Sequence, residues 1–317
     1  MSFTVKIKEE IVNNKSTKSE LIAELSAYIR NNGNFTQDKI IMTTENKFLV
    51  DHIVETIQNI YQLEVEVDTI ENLNFSKKEL YQISISKAND FLLKDLGVYD
   101  ENNHYLETVP DYIVGANEEI RGYLRGVFLG VGSINDPKTS RYHMELLISK
   151  PQESVFVQKL LNIFDLNAKI LSRDKGYMIY MKEAEKISDF IKILGANKAV
   201  MYYEDVRVYR DKKNKTNRLN NCEQANIDKV IETATSQLED IEIIEQNDGF
   251  MLLDEKVKEV VEYRKKYPES SLKELAEIIS IETSKSITKS GLNHRLIKIK
   301  ELANQFRKMK NDKEKEN

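Results

Sequence analysis

A nine-residue pattern that occurs twice constrains this chain more than any other feature. Residues 25–33 read Leu25-Ser26-Ala27-Tyr28-Ile29-Arg30-Asn31-Asn32-Gly33. Residues 124–132 read Leu124-Arg125-Gly126-Val127-Phe128-Leu129-Gly130-Val131-Gly132. Both begin with Leu, carry a small residue at the third position, stay apolar at the fourth and fifth, and end in Gly. Around the second copy, Gly122, Gly126 and Gly130 recur every four residues, which places them on one helix face. The matching positions 99 residues earlier hold Ala23, Ala27 and Asn31. Small residues at this spacing let two helix backbones approach closely. Arg121 and Arg125 interrupt the run, so the spacing predicts a buried pair of helices in a soluble domain, not a dimerising membrane span.

The segments that follow each copy repeat as well. After the first, Lys39–Thr44 reads as a strand, Asn46–Tyr61 as an amphipathic helix, Leu63–Ile70 and Leu80–Ser86 as strands, and Lys87–Leu96 as a helix. After the second, Tyr142–Ser149 reads as a strand and Gln152–Asp165 as a helix. Ala168–Arg173 and Tyr177–Lys182 form a hairpin closed by Asp174-Lys175-Gly176, and Glu183–Leu194 is a helix. Two copies of helix, strand, helix, strand, strand, helix make an α+β domain of two pseudo-symmetric halves.

The repeated pattern resembles the LAGLIDADG signature of homing endonucleases. In that family the eighth residue is an acidic metal ligand. Here the eighth positions are Asn32 and Val131. Metal-dependent cleavage needs carboxylates beside the scissile phosphate to hold Mg²⁺ and orient water. Val131 has no donor atom, and Glu118, Glu119 and Asp136 stand about one or more turns away. The resemblance therefore implies a nuclease scaffold without its catalytic carboxylates, neither an enzyme nor a metal site.

Composition narrows the function classes. The chain has 317 residues and a net charge of −5, so nucleic-acid binding has to be local. A single cysteine, Cys222, excludes an intramolecular disulfide and fits a reducing cytoplasm. It is expected to be buried and used for packing. The first residues lack the apolar core of a signal peptide, and no apolar run approaches a bilayer span. His52, His104, His143 and His294 show no metal-ligand spacing. No P-loop, dinucleotide fingerprint or nucleophile elbow is present, so no cofactor is expected.

The character changes after residue 206. Arg207, Arg210, Lys212, Lys213, Lys215 and Arg218 stand against Asp211 alone, a stretch that reads either as a phosphate contact or as a solvated linker. Asn221–Ile243 reads as a helix, and an acidic segment follows, closed by Pro268. Ser271-Leu272-Lys273-Glu274 is a capping box, with Ser271 as the N-cap and Glu274 at its third position. Leu272, Leu275, Ala276 and Ile279 give that helix an apolar stripe. A second helix begins near Thr288 or Lys289, with Leu292, Leu296, Ile299, Ala303 and Phe306 on its core side. Its other face displays Ser290, Asn293, His294 and Lys298, with Arg295 on the flank. Polar side chains for base edges beside cations for phosphates are what a recognition helix requires. From Ser270 to Asn317 there are 11 Lys and Arg against 7 Asp and Glu. This is the helix-turn-helix pattern, although a helical hairpin with a solvated face has the same signature. The DNA-binding residues expected are Lys273, Lys285, Lys289, Ser290, Asn293, His294, Arg295 and Lys298. The sheet of the repeat domain is a poorer platform: Glu64, Glu66 and Asp68 alternate with Leu63, Val65 and Val67, and an acidic face repels phosphate. The second half is less hostile, with Lys169, Arg173 and Lys182.

Three segments carry a wider resemblance. They are Tyr123–Leu129 with Gly132–Pro137, the run Asn217-Arg218-Leu219-Asn220-Asn221-Cys222-Glu223-Gln224-Ala225-Asn226, and Lys289-Ser290-Gly291-Leu292-Asn293-His294-Arg295-Leu296. On these the chain is similar to the WhiA family of bacterial sporulation and cell-division regulators. The resemblance implies a pseudo-symmetric, degenerate LAGLIDADG domain followed by an all-α helix-turn-helix domain. It implies transcriptional control in sporulating relatives, and a part in cell division and chromosome segregation in others. The expected organisation is a repeat domain over 1–206 (repeats about 18–98 and 118–206), a basic linker and helix over 207–245, a helix-turn-helix domain over 246–310 and a disordered tail over 311–317. The turn region Ser280–Ile287 looks longer than the family's usual turn. The reading is a cytoplasmic, nucleoid-associated DNA-binding regulator. Double-stranded DNA is its C-terminal partner, and a protein partner is possible at the N-terminal domain. The alternative is an adaptor of the division machinery with weak, nonspecific DNA binding.

Overall fold

The computed structural model describes residues 1–36, 39–70, 79–86 and 90–315. They form two compact units, Met1–Asp211 and Lys212–Asn317.

The first unit is built from the repeat. The first motif lies in α2 (Lys18–Asn32), preceded by α1 (Phe3–Val12), and is followed by β1 (Asn34–Phe35), β2 (Lys39–Thr44), α3 (Lys47–Tyr61), β3 (Glu66–Ile70), β4 (Leu80–Ser86) and α4 (Asp90–Asp95). The second lies in α5 (Asn117–Val131), followed by β5 (Gly132–Ile134), β6 (Met144–Ile148), α6 (Pro151–Ile163), β7 (Lys169–Arg173), β8 (Gly176–Met181) and α7 (Ala184–Ile193). Each half carries a four-stranded antiparallel sheet, ordered β1-β2-β4-β3 in one and β5-β6-β8-β7 in the other. The two sheets have the same topology, which is the structural form of the sequence repeat. Each also has a strand at the motif glycine, Asn34–Phe35 after Gly33 and Gly132–Ile134 from Gly132, too short for periodicity to reveal.

The motif helices cross in close contact. A Cβ on Gly126 would lie 2.0 Å from the Glu24 carbonyl oxygen, and one on Gly122 would lie 2.5 Å from that of Glu20. Side chains larger than hydrogen are excluded there, as the four-residue spacing predicts. The crossing also buries charge. Arg125 of α5 donates to Glu24 of α2 at 3.0 Å, and His52 of α3 sits 2.5 Å from the other Glu24 oxygen. Arg30 of α2 donates to Glu153 of α6 at 3.0 Å and to the carbonyls of Gly97 and Leu106 at 3.0 and 2.8 Å. The Tyr123 hydroxyl donates to the same Glu153. Glu24, Arg30, Arg125 and Glu153 are thus paired across the repeat, and losing one partner would strand the other in the core.

Sequence reading passed over α1. Ser2 caps it, and Phe3, Ile7 and Ile11 pack into the core shared by both repeats. Its Lys8 is buried and donates to the Leu129 carbonyl at 2.9 Å, at the C-terminal end of α5. Burial lowers the Lys8 ammonium to about 8.

Four expectations change. The strand expected from Leu63 begins at Glu66, and β3 is an edge strand whose every residue is exposed. The basic segment from Arg207 is no linker. It lies inside α8 (Asn197–Gln246), a continuous 50-residue helix. The sequence there contains neither Gly nor Pro to end it. Cys222 is exposed on that helix, not buried. Helix α11 (Lys289–Lys315) runs through residues 311–315, which were expected to be disordered. Residues 87–89 of the helix expected from Lys87, and the last two residues of the tail, lie outside the described residues.

Candidate nucleic-acid interface

In the second unit, the last part of α8 packs with α9 (Glu255–Lys266), α10 (Leu272–Thr283) and α11. Their core includes Ile241, Ile244, Val257, Val260, Leu275, Ile279, Leu292, Leu296, Ile299 and Ala303. The capping box starts α10: Ser271 Oγ accepts from the Glu274 amide at 3.3 Å, and Glu274 accepts from the Ser271 amide at 2.8 Å. The bond from the Ser271 amide holds the Glu274 carboxyl below its ordinary range. Arg264 is fully buried and donates to the Ser270 carbonyl at 2.7 Å, which fixes the loop into α10. At the other end, Ser284 takes the left-handed conformation and terminates α10. Ser280 Oγ donates to the Ala276 carbonyl at 2.7 Å and accepts from the Ile287 amide at 2.9 Å. One hydroxyl therefore ties the turn back to α10, and the turn occupies residues 284–288.

This frame sets what α11 presents. Leu292, Leu296, Ile299 and Ala303 are buried, while Ser290, Asn293, His294 and Lys298 are exposed and Arg295 is half-buried. Ile297 is 41% exposed among them. Asn293 and Lys300 wall an open groove of about 400 Å³ whose opposite wall includes Glu232, Ser236 and Asp240 of α8. Lys289 begins the helix and is exposed.

The electrostatics differ from a simple basic face. Lys285 and Arg295 both reach Glu259 of α9, at 3.1 and 3.6 Å. Lys298 reaches Asp254 at 3.2 Å. Asp254 also caps α9 by accepting from the Val257 amide at 2.9 Å; that bond and Lys298 hold its carboxyl low. Lys273 is 3.9 Å from Glu277. Four of the expected DNA-binding cations thus already have a carboxylate partner. Lys289 makes no ion pair among the described residues. Glu301, one helical repeat beyond His294, is exposed on the same outward face. Periodicity alone marks that position, and the sequence reading omitted it. The pairings through Glu259 join α9, the turn and α11, and nothing in sequence spacing marks them.

The sheets of the first unit present a mixed surface. Glu66 and Asp68 stand in register with Ser84 and Gln82, on the side opposite the buried row of Ile83 and Ile85. In the second sheet, Leu171, Met178 and Leu147 form one cross-strand row, and Lys169, Tyr180 and Glu145 form the next. Lys182 lies over the Tyr180 ring at 5.2 Å. At the motif ends, Asn32 donates to the Tyr28 hydroxyl at 2.8 Å and to the Thr43 carbonyl at 3.2 Å. Val131 packs against the core. Glu119 accepts from the Ala116 amide at the start of α5, and Asp136 accepts from the Tyr202 hydroxyl and the Lys138 amide.

Comparison with known families covers most of the chain. Residues 18–99 match the WhiA N-terminal LAGLIDADG-like domain, residues 120–213 the WhiA LAGLIDADG-like domain, and residues 216–303 the WhiA C-terminal HTH domain. A protein of Enterococcus faecalis named probable cell division protein WhiA is 38% identical over 311 residues, which cover 97% of this chain and 99% of that one. This chain belongs to the WhiA family. A Bacillus subtilis WhiA of the same name is also 38% identical, over 97% of this chain and 98% of its own. A crystal structure of full-length WhiA from Thermatoga maritima shares the fold with a TM-score of 0.58 and 22% identity, covering 96% of this chain and 98% of that one. The WhiA fold accounts for the two LAGLIDADG-like repeats and the helix-turn-helix unit. Among the described residues, no helix is long and apolar enough to cross a membrane.

Proposed function

We propose that this WhiA-family chain is a non-enzymatic, cytoplasmic and nucleoid-associated regulator. It binds duplex DNA through the helix-turn-helix domain and acts in cell division and chromosome segregation. The observation that carries this reading is the α11 surface. Ser290, Asn293 and His294 project from a helix whose start is fixed by the Ser280 clasp and whose opposite side is buried. Asn293 and His294 are assigned to base edges, with Ser290 beside them. Lys289 takes a phosphate directly, and Lys273, Lys285, Arg295 and Lys298 take phosphates by exchanging their present carboxylates. The first unit is assigned to protein contacts, since Glu66 and Asp68 on its sheet oppose a polyanion. The nuclease chemistry of the fold is assigned as lost. The Asn32 amide nitrogen is engaged by Tyr28 and Thr43, and Val131 offers no donor atom.

A second reading is favoured by the pairings on Glu259 and Asp254 and by Glu301. A surface so neutralised suits an adaptor of the division machinery with weak, nonspecific DNA contact. One experiment separates the two. Fragments recovered by genome-wide crosslinking are compared with scrambled duplexes in binding isotherms at several salt concentrations. A regulator prefers the recovered sequences by roughly 10³-fold or more; equal affinity for both establishes the adaptor. Supercoiled DNA incubated with Mg²⁺ or Mn²⁺ tests the loss of cleavage. Nicking that survives repurification and disappears on Glu118→Gln or Glu119→Gln overturns that assignment.

A further inference from the structure

The part of α8 within the second unit carries a surface that neither the fold nor α11 uses. From residue 212 to 222 it reads Lys-Lys-Asn-Lys-Thr-Asn-Arg-Leu-Asn-Asn-Cys, with four cations and no acid. All of these residues are exposed. Lys212, Lys213, Lys215 and Arg218 make no ion pair with the described residues, in contrast to Lys273, Lys285, Arg295 and Lys298 of the helix-turn-helix segment. Among the described residues of the second unit, the densest positive charge without ion pairs therefore lies on α8, not on α11.

The uncharged residues are informative too. At helical spacing, Lys213, Asn217, Asn220, Asn221 and Gln224 fall on one side, with Arg218 on its flank. Lys212, Lys215, Leu219 and Val230 fall on the other. Asn is a poor helix former compared with Ala, Lys or Glu. Three Asn in two turns weaken an exposed helix unless their amides serve something. Within the described residues the Asn217, Asn220 and Asn221 side chains have no hydrogen-bond partner. Each offers two donors and an acceptor to the outside. Gln224 donates to Asp228 at 2.8 Å, and the acids begin beside it, with exposed Glu223 on the Leu219 side and then Asp228 and Glu232. The surface is thus bounded. It spans about three turns, roughly 16 Å of helix; within residues 212–224 its amide side has no apolar residue, and exposed Ile227 and Ile231 follow on that side beyond it.

We propose that residues 212–224 of α8 are a second contact for duplex DNA. Lys213 and Arg218 neutralise phosphates on either side of the three Asn amides, which hydrogen-bond to the backbone and base edges, and Lys212 and Lys215 add unpaired positive charge to the same segment. An unpaired cationic helix with free amide donors fits a polyanion lined with acceptors. A protein partner would ask for apolar anchors, which this face lacks. The inference rests on the DNA-binding reading of the second unit and extends it beyond α11.

The test uses the full chain and two variant sets. The first is Lys212→Ala, Lys213→Ala, Lys215→Ala and Arg218→Ala together. The second is Asn217→Ala, Asn220→Ala and Asn221→Ala together. All seven sites are exposed and Ala favours helix, so both variants keep the wild-type thermal melt. The cation variant lowers affinity for crosslinked and scrambled duplexes alike by roughly tenfold or more near 0.1 M salt. It also reduces the magnitude of the log–log salt slope by about 2–4 units, near 0.9 for each phosphate released. The amide variant lowers affinity while leaving that slope unchanged. Replacing the three lysines by Arg, with Arg218 retained, preserves binding. Asn293→Ala with His294→Ala is measured alongside. If both α8 variants bind as wild type while the α11 variant loses binding, the inference is overturned and the α11 reading stands. If the α8 variants lose binding and the α11 variant does not, the second contact stands and the α11 reading falls. Wild-type binding in all three overturns both.

Discussion

A Leu side chain at position 126 has nowhere to go, because the Glu24 carbonyl already occupies the space of the first carbon. Gly126→Leu must push α2 and α5 apart, which costs about 1–3 kcal/mol or more. The melt of the first unit should fall by roughly 5 °C or more; an unchanged melt means the two helices do not pack through this face. Lys8 gives a pH signature. Its ammonium titrates at about 8 in the fold against 10.5 free. The unfolded chain therefore binds the extra proton between these values, and the contribution of Lys8 to stability rises with pH across that window. The penalty relieved is about 3 kcal/mol, at 1.36 kcal/mol per unit. Subtracting the Lys8→Met stability profile from wild type should leave a rise between pH 8 and 10.5; a flat difference removes the argument. On α11, Asn293→Ala should relax sequence preference by about 1–3 kcal/mol with little change in salt slope. Lys289→Ala should weaken all duplexes alike and shrink the slope by about one unit. If neither substitution alters binding, α11 is a structural hairpin.

Helix α10 is held at both ends by single side chains, Ser271 and Ser280. Ser271→Ala removes the cap and should cost about 1 kcal/mol, measured by denaturant unfolding of the second unit. A loss below a few tenths would mean that Glu274 alone holds the start. The capping box was legible because it is local: four consecutive residues carry both partners. The repeat was legible for a related reason, since two copies of one periodicity confirm each other. The apolar stripe of α11 could be read from spacing, and the burial of Leu292, Leu296, Ile299 and Ala303 follows it. What escaped reading depends on contacts distant in sequence or on elements too short for a period. Glu259 gathers Lys285 and Arg295 from 26 and 36 residues away, and no window contains all three. Strands β1 and β5 have two and three residues. Helix α1 was readable: Ser2 before Phe3, Ile7 and Ile11 is a cap followed by a four-residue apolar period, a signal overlooked at a terminus.

The molecule divides at residue 211, and the assigned functions should divide with it. A fragment of residues 1–211 should fold alone and bind DNA poorly, whereas residues 212–317 should retain most of the affinity in gel-shift titrations. An N-terminal fragment that binds as tightly as the whole chain would place the DNA on the sheets. The crossed ion pairs of the first unit carry a further meaning. Glu24 in the first repeat is neutralised by Arg125 of the second, and Glu153 in the second by Arg30 of the first. Moving by the 99-residue offset, Arg125 corresponds to Ser26 and Arg30 to Leu129. A homodimer of the first repeat would therefore face Glu24 with Ser26, and one of the second would face Glu153 with Leu129. The two halves are heterologous subunits on one chain, matched to each other by charge as well as by shape.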